Sequence, residues 1–559
     1  MARMKAMDVL RRYTDARSAR SRHENDWRLA SAYCLPRHYN SWRTDGPAYY
    51  GGSPSDALKR VAYDSTGIRS LPKYVAVLEQ IATPHKMRYQ ILSASNKDLM
   101  RIRRVRDYFQ EVTNLLFRMR YAPAAQFMQA SSEVYASLGA YGTGPCYLGR
   151  RQPNALSRTP SFFYRANPLR DIFVLVNDQG EIDTVFRRFY LNARQFSQKF
   201  PNDPMPQCMS MKGGQMHTDN DYHEFIHVVH PRDDHDPGSL GVERHPMVGS
   251  YLCVKDATYI GEEEGYRSMP YLIPRTFTEA GDPYGFSPAQ FALPALGTAS
   301  AVKKTMLKQG QKAADPVILA HDDGVMNGPV DQRPGAVNYG GVDKNGKKLI
   351  TTLDTGNFNV SEKILQDERS DIEDSFFVFI FKLLEENREM TATEVVERAA
   401  KETALLSPTM GRLQTDWVAK FTDRELDLAD EMGEMPKMPP ELLEAKGEYE
   451  NIYTSPMAKN IYAEETSGFM RATEMALNIV NATQDQSHLD HFNFDVAIPE
   501  ISDNMAVPAR WMNDKEDKEQ IAAQRAEATQ QQQLVENAGP IAGALKAAQG
   551  VEGEGDNDG

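Results

Sequence analysis

The sequence predicts an α+β protein that is mainly helical, and three observations carry that reading. Between residues 63 and 141 the apolar positions recur at spacings of three and four. Between 161 and 277 the period changes to two. From 287 onward, two long helical stretches flank a segment rich in Gly, Asp and Asn. At 559 residues the chain can bury several cores, so two to four domains are expected. A formal charge of -13 argues against a generic duplex-coating protein, which presents a net basic surface. Cys34, Cys146, Cys208 and Cys253 lie far apart with no C-x-x-C, which suits a reducing compartment and implies no disulfide framework. The longest apolar run, "FFVFIF" at 376–381, is too short for a membrane span.

The Arg-rich N-terminus also carries Asp8, Asp15, Glu24 and Asp26, so it reads as a surface helix of the mature fold rather than a transit peptide. "GIRSLPKYVAVLEQIA", "RIRRVRDYFQEVTNLLFRMR" and "APAAQFMQASSEVYASLGAYGTG" are helical, the last running to a glycine stop. "DIFVLV", the "NDQG" turn and "EIDTVFRRFY" form a hairpin, followed by a short helix, "NARQFSQKF". "YHEFIHVVH", "MVGSYLCVKD" and "MPYLIPRTF" are further strands, the last two separated by a turn at "GEEEG". Ser287 is placed to cap the next helix, with Pro288 at its first position, helical spacing as far as Ala314, and a kink at Pro294. A hairpin is expected at "DKNGKKLITTL" and a second long helix over 361–390. Thr391 and Glu394 make a capping box for another helix. After the proline-rich "EMGEMPKMPP", helix-compatible sequence starts at "YENIYTSPMAKN" and continues to Trp511, then an Ala/Gln helix, with a disordered acidic tail at 539–559.

"HTDNDYHEFIHVVHPRDDHD" at 217–236 raises the question of a metal site. On a helix His223, His227 and His230 would share one face; on a strand His230 would turn away from the other two. The aromatic and β-branched neighbours favour the strand, and no H-E-x-x-H is present. "GVDKNGKK" at 341–348 is close to a phosphate-binding loop, with Gly341, Gly346 and Lys347 in place, but Lys348 stands where Ser or Thr must hold magnesium. A strand rather than a helix is expected after it. The pairs Asp322 with Asp323 and Asp371 with Asp374 have no third carboxylate at ligand spacing, and there is no G-x-S-x-G. No catalytic, cofactor-binding or metal-ligating residue is assigned, and no cofactor.

The ordered series "YDSTGIRSLPKYVAVLEQIATP", "LGAYGTGPCYL", "YGFSPAQFALPAL", the flanking long helices, "MTATEVVERAAKETALLSPTMGRLQ" and "YTSPMAKN" resembles the portal, or head-to-tail connector, proteins of short-tailed bacteriophages. The resemblance implies a non-enzymatic ring, commonly of twelve subunits, at one capsid vertex, with double-stranded DNA passing non-specifically through its channel. It implies a wing at 1–286 and 391–440, a first stem helix at 287–314 and a clip at 315–360. The second stem helix and channel loop fall at 361–390 and a crown-side helical region at 441–538. Partners would be capsid protein, the packaging ATPase (terminase) and tail or adaptor proteins, with no membrane; the protein would be assembled in the host cytoplasm and reside in the virion. Twelve copies at -13 sum to roughly -156, a field that repels DNA unless basic groups are placed locally. The alternative class is a metal-dependent nuclease or other hydrolase using segment 217–236, and a third is a protein-binding helical scaffold.

Lys304, Lys308 and Lys312 fall at roughly 0°, 40° and 80° on a helical wheel, opposite Ala295, Ala299, Val302, Met306 and Ala313. The lysines read either as an ordinary solvated face or as channel-facing charges, screened over about 10 Å at 0.1 M salt. Arg388, in the segment matching the DNA-facing loop, joins them as a channel candidate. Lys344, Asn345, Lys347 and Lys348 are candidates for partner docking at the clip.

Overall fold

A spacing of four and three builds the first helix. Val9, Tyr13, Ala16, Arg20, His23, Trp27 and Ala30 recur on one face of α1 (Ala6–Cys34), and all are buried. In the computed structural model Val9, Tyr13 and Ala16 meet Phe173, Phe186, Ile226, Val228 and Leu252 in one cluster. The N-terminal segment is therefore a core helix with one wet face, rather than a surface helix alone. Arg20 is tolerated on the buried face because its guanidinium donates to the carbonyls of Leu169, Arg170 and Ile172 and to Glu24.

The structure describes residues 4–38, 42, 62–85, 88–96, 98–151, 161–209, 221–320, 330, 331, 333, 335–353, 358–379, 407–444, 449–453 and 468–480, with isolated positions between 491 and 528. They fall into two units, a larger one of 1–89, 116–435 and 455–457 and a smaller one of 90–115, 436–454 and 458–559. In chain order α1 is followed by α2 (Thr66–Ala82), β1 (Gln90–Ala94), α3 (Arg103–Arg120) and α4 (Phe127–Tyr141). Gly142 ends α4 in the left-handed region at φ 76°, where a side chain would be strained. The sheet strands are β2 (Cys146–Arg151), β3 (Ser161–Ala166), β4 (Ile172–Val176) and β5 (Ile182–Leu191), then, after α5 (Ala193–Lys199), β6 (His223–Pro231), β7 (Met247–Cys253), β8 (Thr258–Tyr266) and β9 (Tyr271–Leu272). β4 to β8 pair in sequence order as a five-stranded antiparallel sheet, and β2 lies between β3 and β9. Next come the paired β10 (Phe277–Thr278) and β11 (Gly285–Phe286), then α6 (Pro288–Phe291), α7 (Leu293–Ala314), the paired β12 (Ile318–Ala320) and β13 (Ile350–Thr352), and α8 (Phe358–Ser375). α9 (Ser407–Leu413), a π-helical turn at Gln414–Ala419 and α10 (Lys420–Glu431) follow one another directly; α11 (Pro440–Glu444) and β14 (Tyr449–Tyr453) come after.

Four expectations are corrected. "GEEEG" is not a turn: it lies within β8, where Glu263 pairs with Arg232 at 3.0 Å and Gly261 takes φ 70° opposite a register shift in β7. The turn sits earlier, at Asp256 and Ala257, and Ala257 has φ 50°. The second long helix is interrupted after Ser375, where Phe377 turns left-handed at φ 53°; helix resumes at Val378 and Phe379, and 380–390 lie outside the described residues. That turn brings the rings of both Phe376 and Phe377 to Tyr74, at 6.3 and 6.5 Å, whereas on a continuous helix the two would diverge by about 100°. "YENIY" is strand β14 rather than the start of a helix, and it pairs with β1, itself a strand inside a stretch read as helical. The register runs from Gln90 opposite Tyr453 to Ala94 opposite Tyr449. The Thr391 and Glu394 box, most of 441–538, and the tail at 539–559 lie outside the described residues.

The larger unit closes around one buried ion pair. Arg120 donates through Nε to Glu425 Oε1 at 2.8 Å and through a terminal nitrogen to Oε2 at 2.5 Å, and both side chains are fully buried. Tyr89 accepts from Arg120 at 2.7 Å, Tyr164 donates to Glu425, and the rings of Phe421 and Phe117 lie 4.4 and 4.8 Å from the guanidinium. Glu425→Gln, which leaves that guanidinium buried without a counter-charge, is expected to cost about 3–5 kcal/mol in urea denaturation. The double change Arg120→Met with Glu425→Leu should cost less than either single change; equal midpoints for wild type and Glu425→Gln would show that the pair does not hold the unit.

Candidate functional site

The helix pair α7 and α8 is mounted at one end and open at the other. Ser287 caps α6: its Oγ accepts from the Gln290 N–H at 3.0 Å and the Gln290 side chain accepts from the Ser287 N–H at 3.0 Å. The break falls at Ala292, just before Pro294 in the first turn of α7, where the missing N–H of proline costs nothing. On α7, Leu296, Ala299 and Ser300 are buried; on α8, Leu365 and Ile372. Ser300 Oγ accepts from the Tyr63 N–H at 2.9 Å, and the neighbouring Asp64 Oδ1 accepts from Arg369 at 2.5 and 3.2 Å. Ser300 lies in the first half of α7 and Arg369 in the second half of α8, so the consecutive residues Tyr63 and Asp64 tie both helices to one point. Gly67 of α2 admits the approach: a Cβ there would stand 2.8 Å from Leu296 Cδ2 and 3.1 Å from the Tyr33 carbonyl. Burial disfavours charge on Asp64, but the hydrogen bonds from Arg369 and Thr66 outweigh it and hold the carboxyl below its usual range.

Away from this mount the helices are bare. Lys304, Lys308 and Lys312 are exposed, and Lys304 Nζ stands 5.2 Å over the Tyr63 ring. Ala295, Val302 and Met306 are half-buried and Ala299 is buried, so the small apolar face does pack, but Ala313 at the far end is exposed. The charges of the two helices are opposed: α7 carries Lys303, Lys304, Lys308 and Lys312 and no acid, whereas α8 carries Glu362, Asp367, Glu368, Asp371, Glu373 and Asp374 against Lys363 and Arg369. Arg388 lies outside the described residues.

The segment joining the helices is a small, open β module. Lys344, Asn345, Lys347 and Lys348 are all exposed around a tight turn. The Asp343 N–H donates to the Lys347 carbonyl at 2.8 Å, Gly346 has φ 78°, and Val342 bridges Lys348. β13 follows, not a helix, so the backbone N–H groups do not converge on a phosphate as a nucleotide loop requires. Val337 and Tyr339 are 71% and 87% exposed, and Val317, Val342 and Leu353 are also out in solvent.

The histidine segment separates as the strand reading requires. His227 is buried on β6, stacked on Tyr251 with ring centres 4.3 Å apart, with Nδ1 2.6 Å from the Tyr271 hydroxyl and Nε2 3.7 Å from Glu264. Burial pushes its pKa down, so the ring is a neutral core group at pH 7. His230 Nδ1 faces the Pro231 carbonyl at 2.7 Å and His235 Nε2 the Arg244 carbonyl at 3.1 Å. Among the described residues of 217–236 no three ligand atoms converge, and nothing supports a nuclease built there. His217, Asp322 and Asp323 lie outside the described residues; Asp371 and Asp374 are exposed on α8. What sequence reasoning missed is the mount itself, because Asp64 and Arg369 are 305 residues apart and neither stands in a motif.

A family model described as bacteriophage head to tail connecting protein matches residues 6–512. A probable portal protein of Bordetella phage BPP-1 is 24% identical over 450 residues, covering 78% of this chain and 76% of the relative. Two solved structures are similar in part. The neck of a native GTA particle computed with C12 symmetry has 14% identity, covers 66% of this chain and 80% of the other, and has a TM-score of 0.33. The virion of a native gene transfer agent particle has 13% identity, covers 74% and 98%, and has a TM-score of 0.28.

Because the folded carboxyl of Asp64 titrates below its unfolded value, its contribution is complete at neutral pH and disappears as pH falls through the depressed folded pKa. Asp64→Asn is expected to lower stability by about 1–2 kcal/mol at pH 7, allowing for the half-exposed Arg369. The difference from wild type should vanish in acid; a gap in urea midpoint that persists unchanged at pH 2.5 would assign the effect to something other than this charge.

Proposed function

Because the chain belongs to the family of bacteriophage head-to-tail connecting proteins, we propose that it is a portal subunit, twelve copies closing into a ring at one capsid vertex. Double-stranded DNA enters through that ring during packaging and leaves through it on ejection. In this reading 287–314 and 361–390 are the stem, 315–360 the clip, 1–286 and 391–440 the wing, and 441–538 the crown. The capsid protein surrounds the ring, the packaging ATPase and later the tail meet the clip, and assembly takes place in the host cytoplasm. One observation carries it: a helix pair anchored at one end and largely exposed at the other, leading into a module whose described residues include Val317, Val337, Tyr339, Val342 and Leu353, all exposed. Copies of the same chain, placed side by side around an axis, supply cover for these residues.

The lysines of α7 have two roles open to them within such a ring. Facing the channel, three ammonium groups per subunit offset an otherwise repulsive field while binding phosphate only as point charges, so that DNA slides. The opposed charges of α7 and α8 favour a second role, in which the basic helix of one copy pairs with the acidic helix of the next. Lys344, Asn345, Lys347 and Lys348, exposed on the clip turn, are suited to a partner that arrives after the ring has formed.

Light scattering and negative-stain micrographs of the purified chain are expected to show a ring of about twelvefold mass with a central hole; a monomer at every concentration, and no ring on capsid vertices, would remove the reading. Changing Lys304, Lys308 and Lys312 together to Gln separates the two lysine roles. Intact rings with altered packaging or retention of DNA place the stripe in the channel. Rings that assemble poorly, with the defect mirrored in wild type at high salt, place it between subunits. Normal rings that fill and hold DNA like wild type remove the lysines from both.

A further inference from the structure

Read along the chain, the four cysteines are isolated thiols; the fold brings two of them together. Cys208 lies in a single helical turn, Gln207–Met209, and Cys253 is the last residue of β7. Their Sγ atoms are 3.5 Å apart. Asp256, in the turn between β7 and β8, accepts a hydrogen bond through Oδ2 from the Cys208 backbone N–H at 2.8 Å. Ligand atoms of the three residues all lie within 4.8 Å of one another. Phe196, Phe200, Met209, Phe225 and Ile260 form the apolar floor with Cys253, and Cys208 sits half-buried at its rim.

Distance discriminates between the chemistries open to such a pair. A disulfide needs sulfurs about 2.05 Å apart, so the two thiols stand well short of one. Two thiolates on one tetrahedral zinc at about 2.3 Å are separated by roughly 3.8 Å, close to the spacing already present. The carboxylate points the same way. One of its oxygens lies within 4.8 Å of both sulfurs, near enough for a single cation to be shared by all three groups. The backbone N–H occupies Oδ2 and orients the group, as partners of metal ligands commonly do. Two soft sulfurs with one hard oxygen suit zinc better than monovalent copper.

We propose that Cys208, Cys253 and Asp256 form a zinc site, with water in the fourth tetrahedral position. Binding takes a zinc(II) ion and releases both thiol protons to solvent, leaving two thiolates and one carboxylate on the metal. The site clasps the turn after α5 to the β7–β8 hairpin, joining positions 45 residues apart. The rest of the chain gains by linkage, since the metal binds the folded site and not the separated ligands.

The full chain, expressed with zinc in the medium and purified without chelator, is expected to hold about one zinc per subunit by elemental analysis. Cobalt(II) added to metal-free chain should give thiolate-to-metal charge-transfer absorption in the near ultraviolet. Cys208→Ser and Cys253→Ser should each weaken zinc binding by roughly a hundredfold and Asp256→Asn by about tenfold or more. A wild-type chain that holds no more zinc than the double serine variant, and gives no cobalt charge-transfer band, overturns the site, whether its thiols titrate free or prove to be joined as a disulfide. The cobalt spectrum needs no variant, so it decides the matter even where a serine chain folds poorly. Neither measurement depends on ring formation.

Discussion

A guanidinium with no access to water persists only where a carboxylate and fixed dipoles replace the solvent it lost, and the larger unit is arranged around one such group. Arg120 and Glu425 come from the end of α3 and the middle of α10, with Tyr164 of β3 and Phe127 of α4 closing the shell. A pair of this kind adds little net stability over an apolar substitute, yet a small displacement of any one element would strand a charge. It therefore sets position more than it adds strength. Arg20 against three carbonyls repeats the device where α1 meets its neighbours, and Arg369 against Asp64 is a half-exposed counterpart on α8. The bare helix pair can project without wandering because its mount is held by charge as well as by Leu296, Leu365 and Ile372.

Much of this was legible in the chain, and what was legible was local. The Ser287 cap, the glycine stop after α4, the short helix "NARQFSQKF" and the strand character of "YHEFIHVVH" all rest on residues within a few positions of one another. The failures share the opposite property. The apolar run at 376–381 has helical spacing, and the break at Phe377 goes with a ring contact to Tyr74, a residue some three hundred positions upstream. "YENIY" is compatible with either period, and the strand β1 that decides the matter lies far upstream. "GEEEG" carries the composition of a turn, but Arg232, just past the end of β6, pairs with Glu263 and makes that carboxylate acceptable in a strand. Cys208 and Cys253 meet only because β7 ends beside the turn after α5.

The candidate surface divides in the same way. The wheel correctly separates Lys304, Lys308 and Lys312 from the packed side of α7, since exposure is decided within one helix. What those ammonium groups face is encoded by no spacing within one sequence. The histidine cluster teaches the converse lesson: chemically rich composition is no site when a strand deals the residues to different faces and burial keeps His227 neutral.

The pairing of β1 with β14 has a consequence in time. Gln90 emerges from the ribosome long before its partner Tyr453, and at roughly 5–20 residues per second the wait is about 20–70 s. Over that interval β1 is a strand with an unpaired edge, the kind of surface that recruits a neighbouring chain. Nascent chains on one message are therefore open to mispairing until synthesis is nearly finished. Fewer ribosomes per message, which keeps the unpaired β1 strands of neighbouring nascent chains apart, is the condition that favours correct closure.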